Sequence, residues 1–186
     1  MPGGSLLTRG VTDGPEADSD HMRQVILGSL AAARQRVRIV TPYFLPDEVV
    51  LSTLQTTALR GVAVDIVLPA RSNLPLLDWA MRPQCDELLA AGCRIHLTPP
   101  PFDHGKLFVV DDDWALIGST NWDARSLRLN FEYNLECYDE ALVAALDPLI
   151  DGRIAQATLL DADTLARQSL PARLRNRLVW LLSPYL

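Results

Sequence analysis

Between Asp20 and Leu97 the hydrophobic pattern switches repeatedly between a helical and a strand-like period, and this restricts the chain to few architectures. Met22, Val25, Ile26, Ser29, Leu30 and Ala33 recur at helical spacing and predict a helix over 20–36. A short strand over 37–41 follows, ended by Pro42 and Pro46. A second helix is predicted over 47–60, stopped by Gly61 at a position suited to a left-handed cap. Val62 to Leu68 is rich in strand formers, residues 76–91 read as helix, and 93–97 as strand. The order αβαβαβ is that of a parallel sheet with helices on its faces.

Pro99, Pro100 and Pro101 end that alternation. Residues 106–110 and 114–117 then read as a hairpin around Asp111-Asp112-Asp113, and 131–138 as one more strand. Helices are predicted over 140–159, 162–168 and 171–182. Residues 1–19, rich in Gly, Pro, Asp and Ser, are expected to be an irregular lead-in to one domain spanning 20–186.

The chemistry concentrates after the triple proline. His104, Lys106, Asp111, Gly118, Ser119 and Asn121 form the pattern H-x-K-x4-D-x6-G-S-x-N. His104 and Lys106 are two apart, so an extended backbone turns both side chains to one face. A neutral imidazole is nucleophilic near neutral pH, and an adjacent ammonium neutralises a phosphate oxygen. Gly118 lets backbone approach an anion, while Ser119 and Asn121 offer donors. Composition singles out the same place: of seventeen basic residues sixteen are Arg, and the one lysine is Lys106.

This pattern resembles the HKD signature of the phospholipase D superfamily. Nearly the whole chain is similar to the C-terminal half of bacterial cardiolipin synthases. The resemblance is carried by Asp13-Gly-Pro15, Thr41-Pro-Tyr-Phe44, Arg60-Gly-Val62, Asn121-Trp-Asp-Ala-Arg-Ser126, Asn130-Phe-Glu132 and the terminal Leu182-Ser-Pro184. It implies an α/β fold, a phospholipase D-like α/β/α sandwich on a mixed, mainly parallel central sheet. It implies a phosphatidyltransferase: His104 attacks phosphorus, a second HKD histidine protonates the leaving alcohol, and no metal or other cofactor takes part. Phosphate binding then falls to Lys106, Ser119 and Asn121, and orientation of His104 to Glu132. Asp111 belongs to the catalytic signature, with a turn-forming aspartate as its plain alternative. The implied substrate is a phospholipid, phosphatidylglycerol foremost, met at the cytoplasmic surface of the inner membrane.

Such enzymes carry two HKD motifs, and this sequence carries one. A homodimer joined through the HKD face, or a separately encoded first half, would supply the second histidine. The rivals are a phospholipid or nucleic-acid phosphodiesterase and an inert, partner-dependent half. A net charge of −6 weighs against nucleic acid, whose binders gain affinity from many Lys/Arg–phosphate contacts.

The remaining features exclude more than they assign. Cys85, Cys93 and Cys137 are too few and scattered for a disulfide framework or a zinc site. The three adjacent aspartates match no calcium loop. No apolar run approaches a membrane span, and the N-terminal stretch lacks the pattern of a signal peptide. Tyr43 and Phe44 either line the lipid side of the cleft or pack in the core. Near the C-terminus Arg167, Arg173, Arg175 and Arg177 accompany Leu174, Leu178, Leu181 and Leu182. That helix either rests on anionic lipid or, more simply, packs its leucines on the domain with its arginines in water.

Overall fold

The computed structural model describes residues 6–15 and 20–183. The predicted alternation appears as α1 (His21–Ala32), β2 (Arg36–Val40), α2 (Glu48–Leu59), β4 (Ala63–Pro69), α3 (Pro75–Ala90) and β5 (Arg94–Thr98). The Asp47 carboxylate accepts the amides of Val49 and Val50 and so fixes the start of α2. Gly61, at φ +91°, ends that helix in the left-handed conformation expected of it. The hairpin is β6 (Leu107–Val110) and β7 (Trp114–Gly118), followed by β9 (Glu132–Tyr138), α4 (Glu140–Gln156), α5 (Ala162–Ala166) and α6 (Leu170–Trp180).

Four short or marginal elements escaped the sequence. β1 (Leu7–Asp13) lies inside the expected lead-in and pairs antiparallel with β9, Leu7 opposite Tyr138 and Asp13 opposite Glu132. It is an edge strand whose outer positions stay exposed, so it carries little hydrophobic signal. The rest of the lead-in, 1–5 and 16–19, lies outside the described residues, as does Pro184. β10 (Thr158–Leu159) pairs with β5 and ends the helix α4 three residues before the predicted limit. β3 (Phe44–Leu45) and β8 (Trp122–Asp123) form a two-residue parallel pair of their own.

The main sheet runs β1-β9-β7-β6-β2-β4-β5-β10. It is mixed, as expected, but parallel pairing is confined to β2–β4–β5 and the other five neighbour pairs are antiparallel. The reason is the second half of the chain, which is built from hairpin-like returns rather than helical crossovers.

Period-2 alternation sends the strands' side chains to two cores. Ile39, Ile66, Ile95 and Phe108 face α1, α2 and α3, meeting Met22, Ile26, Leu54 and Leu88. Val40, Val67, Val109 and Ala115 face α4, meeting Val143, Leu146 and Ile150. Beside this second core Arg36 and Arg38 of β2 share the Asp147 carboxylate of α4, and Arg38 also pairs with Asp151. The result is helix on both faces of a sheet, with α4 alone on the second face.

Candidate active site

Antiparallel pairing of β6 with β7, Leu107 opposite Ile117, and of β7 with β9, Gly118 opposite Asn134, brings three segments to one end of the sheet. These are the His104–Lys106 segment before β6, the Ser119–Asn121 segment after β7, and the start of β9 at Glu132. Gly118 is where the approach is tightest. A Cβ there would stand 2.5 Å from the Tyr133 carbonyl oxygen, so the close passage of β7 and β9 requires glycine.

His104 and Lys106 are in direct contact. Lys106 Nζ lies 3.0 Å from His104 Nδ1 and donates to the His104 carbonyl oxygen at 2.9 Å. An ammonium can only donate, so Nδ1 is the accepting nitrogen and Nε2 carries the imidazole proton. Burial lowers the Lys106 pKa, opposed by the negative charges of Glu132, Asp103 and Asp123. Glu132 is 8% exposed, and its contact among the described hydrogen bonds is with the Asn130 amide at 3.4 Å. The expected bond from His104 to Glu132 is therefore absent among the described residues. In this state Lys106 holds the imidazole instead.

Ser119 is pinned to β9: its Oγ accepts the Tyr133 amide at 3.0 Å and lies 3.3 Å from the Tyr133 carbonyl oxygen. Asn121 donates to Ser126 Oγ at 3.0 Å, leaving its buried Oδ1 without a partner among the described residues. Both stand at the His104 end of the sheet.

Asp111 does not. It sits at the far end of β6, roughly 16 Å from Lys106 at the rise of an extended strand. Its carboxylate accepts the backbone amides of Arg34, Gln35 and Arg36 at 3.0, 2.8 and 3.0 Å. Burial raises its pKa, but these three amides outweigh burial and leave it below the ordinary carboxylate value. The residue itself adopts φ 51°, which an aspartate tolerates. Its contacts are those of a turn-forming aspartate and tie the α1–β2 connection to the hairpin.

Several further residues stand at the site, and of these only Tyr43 was a candidate from the sequence. Asp103 accepts the Gly105 amide at 2.8 Å and the Arg153 Nε of α4 at 2.6 Å, anchoring the histidine segment to a helix. Burial pushes the Asp103 carboxyl up, and Arg153 and the Gly105 amide more than offset it. Asp123 is 4% exposed, and burial raises its pKa, with the Glu132 charge adding to the rise. Tyr43 stands edge-on to His104 at 5.9 Å between ring centroids, and Phe102 lies 6.0 Å away on the same ring. Of the pair Tyr43-Phe44, then, the tyrosine lines the site. Phe44 is buried and stacks on Trp122 in the core. The β3–β8 pair couples the two, because the Trp122 amide donates to the Tyr43 carbonyl at 3.1 Å.

His21 and His96, outside the motif, are used elsewhere. His96 Nε2 lies 2.7 Å from the Asp65 carboxylate, which Arg94 also holds.

Comparison with known proteins bears on the family and the fold. Residues 26–152 match the family model described as cardiolipin synthase, PLD-like domain. The chain belongs to this phospholipase D-like family. It is 38% identical over 176 residues, 95% of the chain, to cardiolipin synthase A of Salmonella arizonae. It spans about a third of that relative's length, 36%. Two solved structures share the fold. Nuc, a phospholipase D family member from Salmonella typhimurium, is 18% identical with a TM-score of 0.72, covering 84% of this chain and 99% of its own. Phosphatidylserine synthase of Haemophilus influenzae is 19% identical with a TM-score of 0.76, covering 97% of this chain and 48% of its own.

Proposed function

We propose that the chain is a phosphatidyltransferase half-unit, acting on phosphatidylglycerol at the cytoplasmic surface of the inner membrane and forming cardiolipin through a phosphohistidine. The observation that carries the reading is the His104–Lys106 contact at a sheet end that also holds a buried Glu132.

Lys106 is the switch in the first step. A phosphate diester arriving at the sheet end draws its ammonium away from Nδ1, because the anion is the stronger acceptor. The exposed imidazole then gives its Nε2 proton to solvent and takes one from solvent at Nδ1, where Glu132 accepts it, and Nε2 is left with the lone pair needed for attack. The Nε2–phosphorus bond forms as the bond from phosphorus to the leaving glycerol oxygen breaks. A second histidine protonates that oxygen. In the second step the same histidine takes the proton of an acceptor hydroxyl, here a second phosphatidylglycerol, whose oxygen displaces His104 from phosphorus. Water in place of that hydroxyl gives hydrolysis. Ser119 and Asn121 contribute donors to the phosphate oxygens.

The second histidine comes from another copy of this chain or from a separate first half. The exposure of His104 leaves room for a facing histidine. A general acid is worth roughly 10²–10⁴-fold in rate, so an isolated copy would be slow.

Light scattering on the purified chain, with phosphatidylglycerol turnover measured on the same peak, tests the reading. An active dimer that loses turnover in His104→Ala supports it. Undiminished turnover in His104→Ala refutes it. A monomer without turnover transfers the second histidine to a different chain.

A further inference from the structure

The last helix, α6, is turned the opposite way from what its sequence suggests. It packs on α3 through Ala172, Asn176 and Val179, and Asn176 is 3% exposed. Its leucines face outward: Leu170 is 78% exposed, Leu174 62%, Leu178 56% and Leu181 64%. At 100° per residue these four fall within roughly 80° of arc, on the side away from the packed face. Arg173 and Arg177 flank the stripe on one edge and Arg175 on the other. Arg175 is braced 4.0 Å over the Trp79 ring of α3. From Thr164 to the end of the sequence there are four arginines and no acid, in a chain of net charge −6. None of Arg173, Arg175 and Arg177 is in a salt bridge among the described residues.

We propose that α6 docks the protein on an anionic phospholipid bilayer, with the leucine stripe in the headgroup–acyl boundary and the arginines on lipid phosphates. The inference gives the phosphatidyl-transfer reading its point of contact with the membrane, and rests on that reading only for its purpose. The occupant follows from charge and shape. An apolar stripe edged by Arg173, Arg175 and Arg177, with Arg82 beside Asp86 and Glu87 at its α3 border, complements a surface that is apolar below and anionic above.

The position of α3 connects this surface to the chemistry. Two of its leading residues, Leu74 and Leu76, are 46% and 49% exposed, and Trp79 beneath Arg175 follows one turn on. Just before them, Asn73 accepts the Tyr43 hydroxyl at 2.7 Å, and Tyr43 is the wall of the His104 site. The helix that carries α6 therefore begins at the mouth of the site.

Co-sedimentation with vesicles tests the proposal, using phosphatidylcholine alone and phosphatidylcholine mixed with phosphatidylglycerol. The wild-type chain is expected to bind the mixed vesicles and not the neutral ones. L174E/L178E should lose at least about tenfold in partitioning, and R173E/R177E a similar factor, since each basic residue contributes roughly fivefold near an anionic surface. Leu59→Glu, at an equally exposed leucine on α2, should bind as wild type, and so should His104→Ala. Circular dichroism confirms folding, and turnover of a short-chain, monomerically dispersed phospholipid reads the chemistry without the membrane. Failure of the wild type to bind mixed vesicles, or equal binding by L174E/L178E, overturns the proposal. So does a loss of oligomer mass in L174E/L178E with vesicle binding unchanged, which would give the stripe to a protein partner.

Discussion

Replacing Asp111 separates a structural reading of the signature aspartate from a catalytic one. Its carboxylate holds three backbone amides, at 3.0, 2.8 and 3.0 Å, on the connection between α1 and β2. Bonds from amides to a charged acceptor run at roughly 1.5–3 kcal/mol each when buried, but two of these are exposed and the third is part-buried, so water replaces them in part. A net loss of about 2 kcal/mol, near the upper end of single capping substitutions, is the reasoned figure. Alanine at φ 51° adds about 1 kcal/mol of left-handed strain. Asp111→Ala should therefore cost about 3 kcal/mol, or roughly 6–12 °C in Tm for a domain of this size. Asp111→Asn, which keeps one acceptor and tolerates the conformation, should cost about 1 kcal/mol, with Asp111→Gly between the two. The pH dependence has a definite sign. The folded pKa lies below the ordinary 3.8, so the contribution is complete above the unfolded value and is lost as pH falls through the folded one. Urea denaturation at neutral pH and again below about pH 4 would show the gap between wild type and Asp111→Asn closing in acid. Turnover per folded molecule should stay near wild type. A wild-type denaturation midpoint for Asp111→Ala, coupled with lost turnover, would refute the assignment and return Asp111 to the chemistry.

Other consequences follow from the same contacts. Gly118→Ala must push β9 away from β7, because its Cβ meets the Tyr133 carbonyl; about 1–3 kcal/mol of stability should go, read by urea denaturation, together with most turnover. Lys106→Arg keeps the charge but cannot reproduce a compact ammonium between His104 Nδ1 and a phosphate, so kcat should fall by about 10²-fold or more in the phosphatidylglycerol assay. Arg153→Ala frees Asp103 and the histidine segment; the expected signature is a lower kcat with a denaturation midpoint shifted by no more than about 1 kcal/mol. Burial pushes the Cys85 and Cys93 thiols up to about 12, so neither should react with an aromatic disulfide reagent at about pH 8 until urea unfolds the chain.

What the sequence made legible was whatever a single segment could declare. The αβαβαβ order was readable because β2, β4 and β5 are largely buried on both faces and α2 and α3 stop at Gly61 and Gly92. β1 was not, because its order comes from β9: seven register pairs hold a strand whose outer residues remain in water. The Tyr133 side chain even lies over Gly10, with its hydroxyl 2.7 Å from where a Cβ would be. The site divided in the same way. His104, Lys106, Ser119 and Asn121 were visible as spacing, whereas Asp103, Asp123, Tyr43 and Phe102 acquire their places only through α4, β8 and β3. Spacing left Asp111 with two readings, and the structure puts a strand's length between it and the lysine. For α6 the periodic leucines were visible, but only tertiary packing shows that Asn176, not the leucines, faces α3.

The two ends of β6 explain why one short pattern carries both chemistry and architecture. At one end Lys106 and His104 share a contact, and that contact has to break for the histidine to attack. At the other, Asp111 clamps the start of β2, the strand paired with β6 from Val37–Val110 to Val40–Leu107. A one-residue slip of that register would turn Lys106 to the opposite face of the sheet, away from Glu132. The aspartate thus adds to the stability of the register in which the lysine sits, without touching the chemistry. A double-mutant cycle between Asp111→Asn and Lys106→Arg should give no more loss of turnover per folded molecule than Lys106→Arg alone, because the two residues share no partner. Coupling beyond about 0.5 kcal/mol would mean that the clamp transmits more than register.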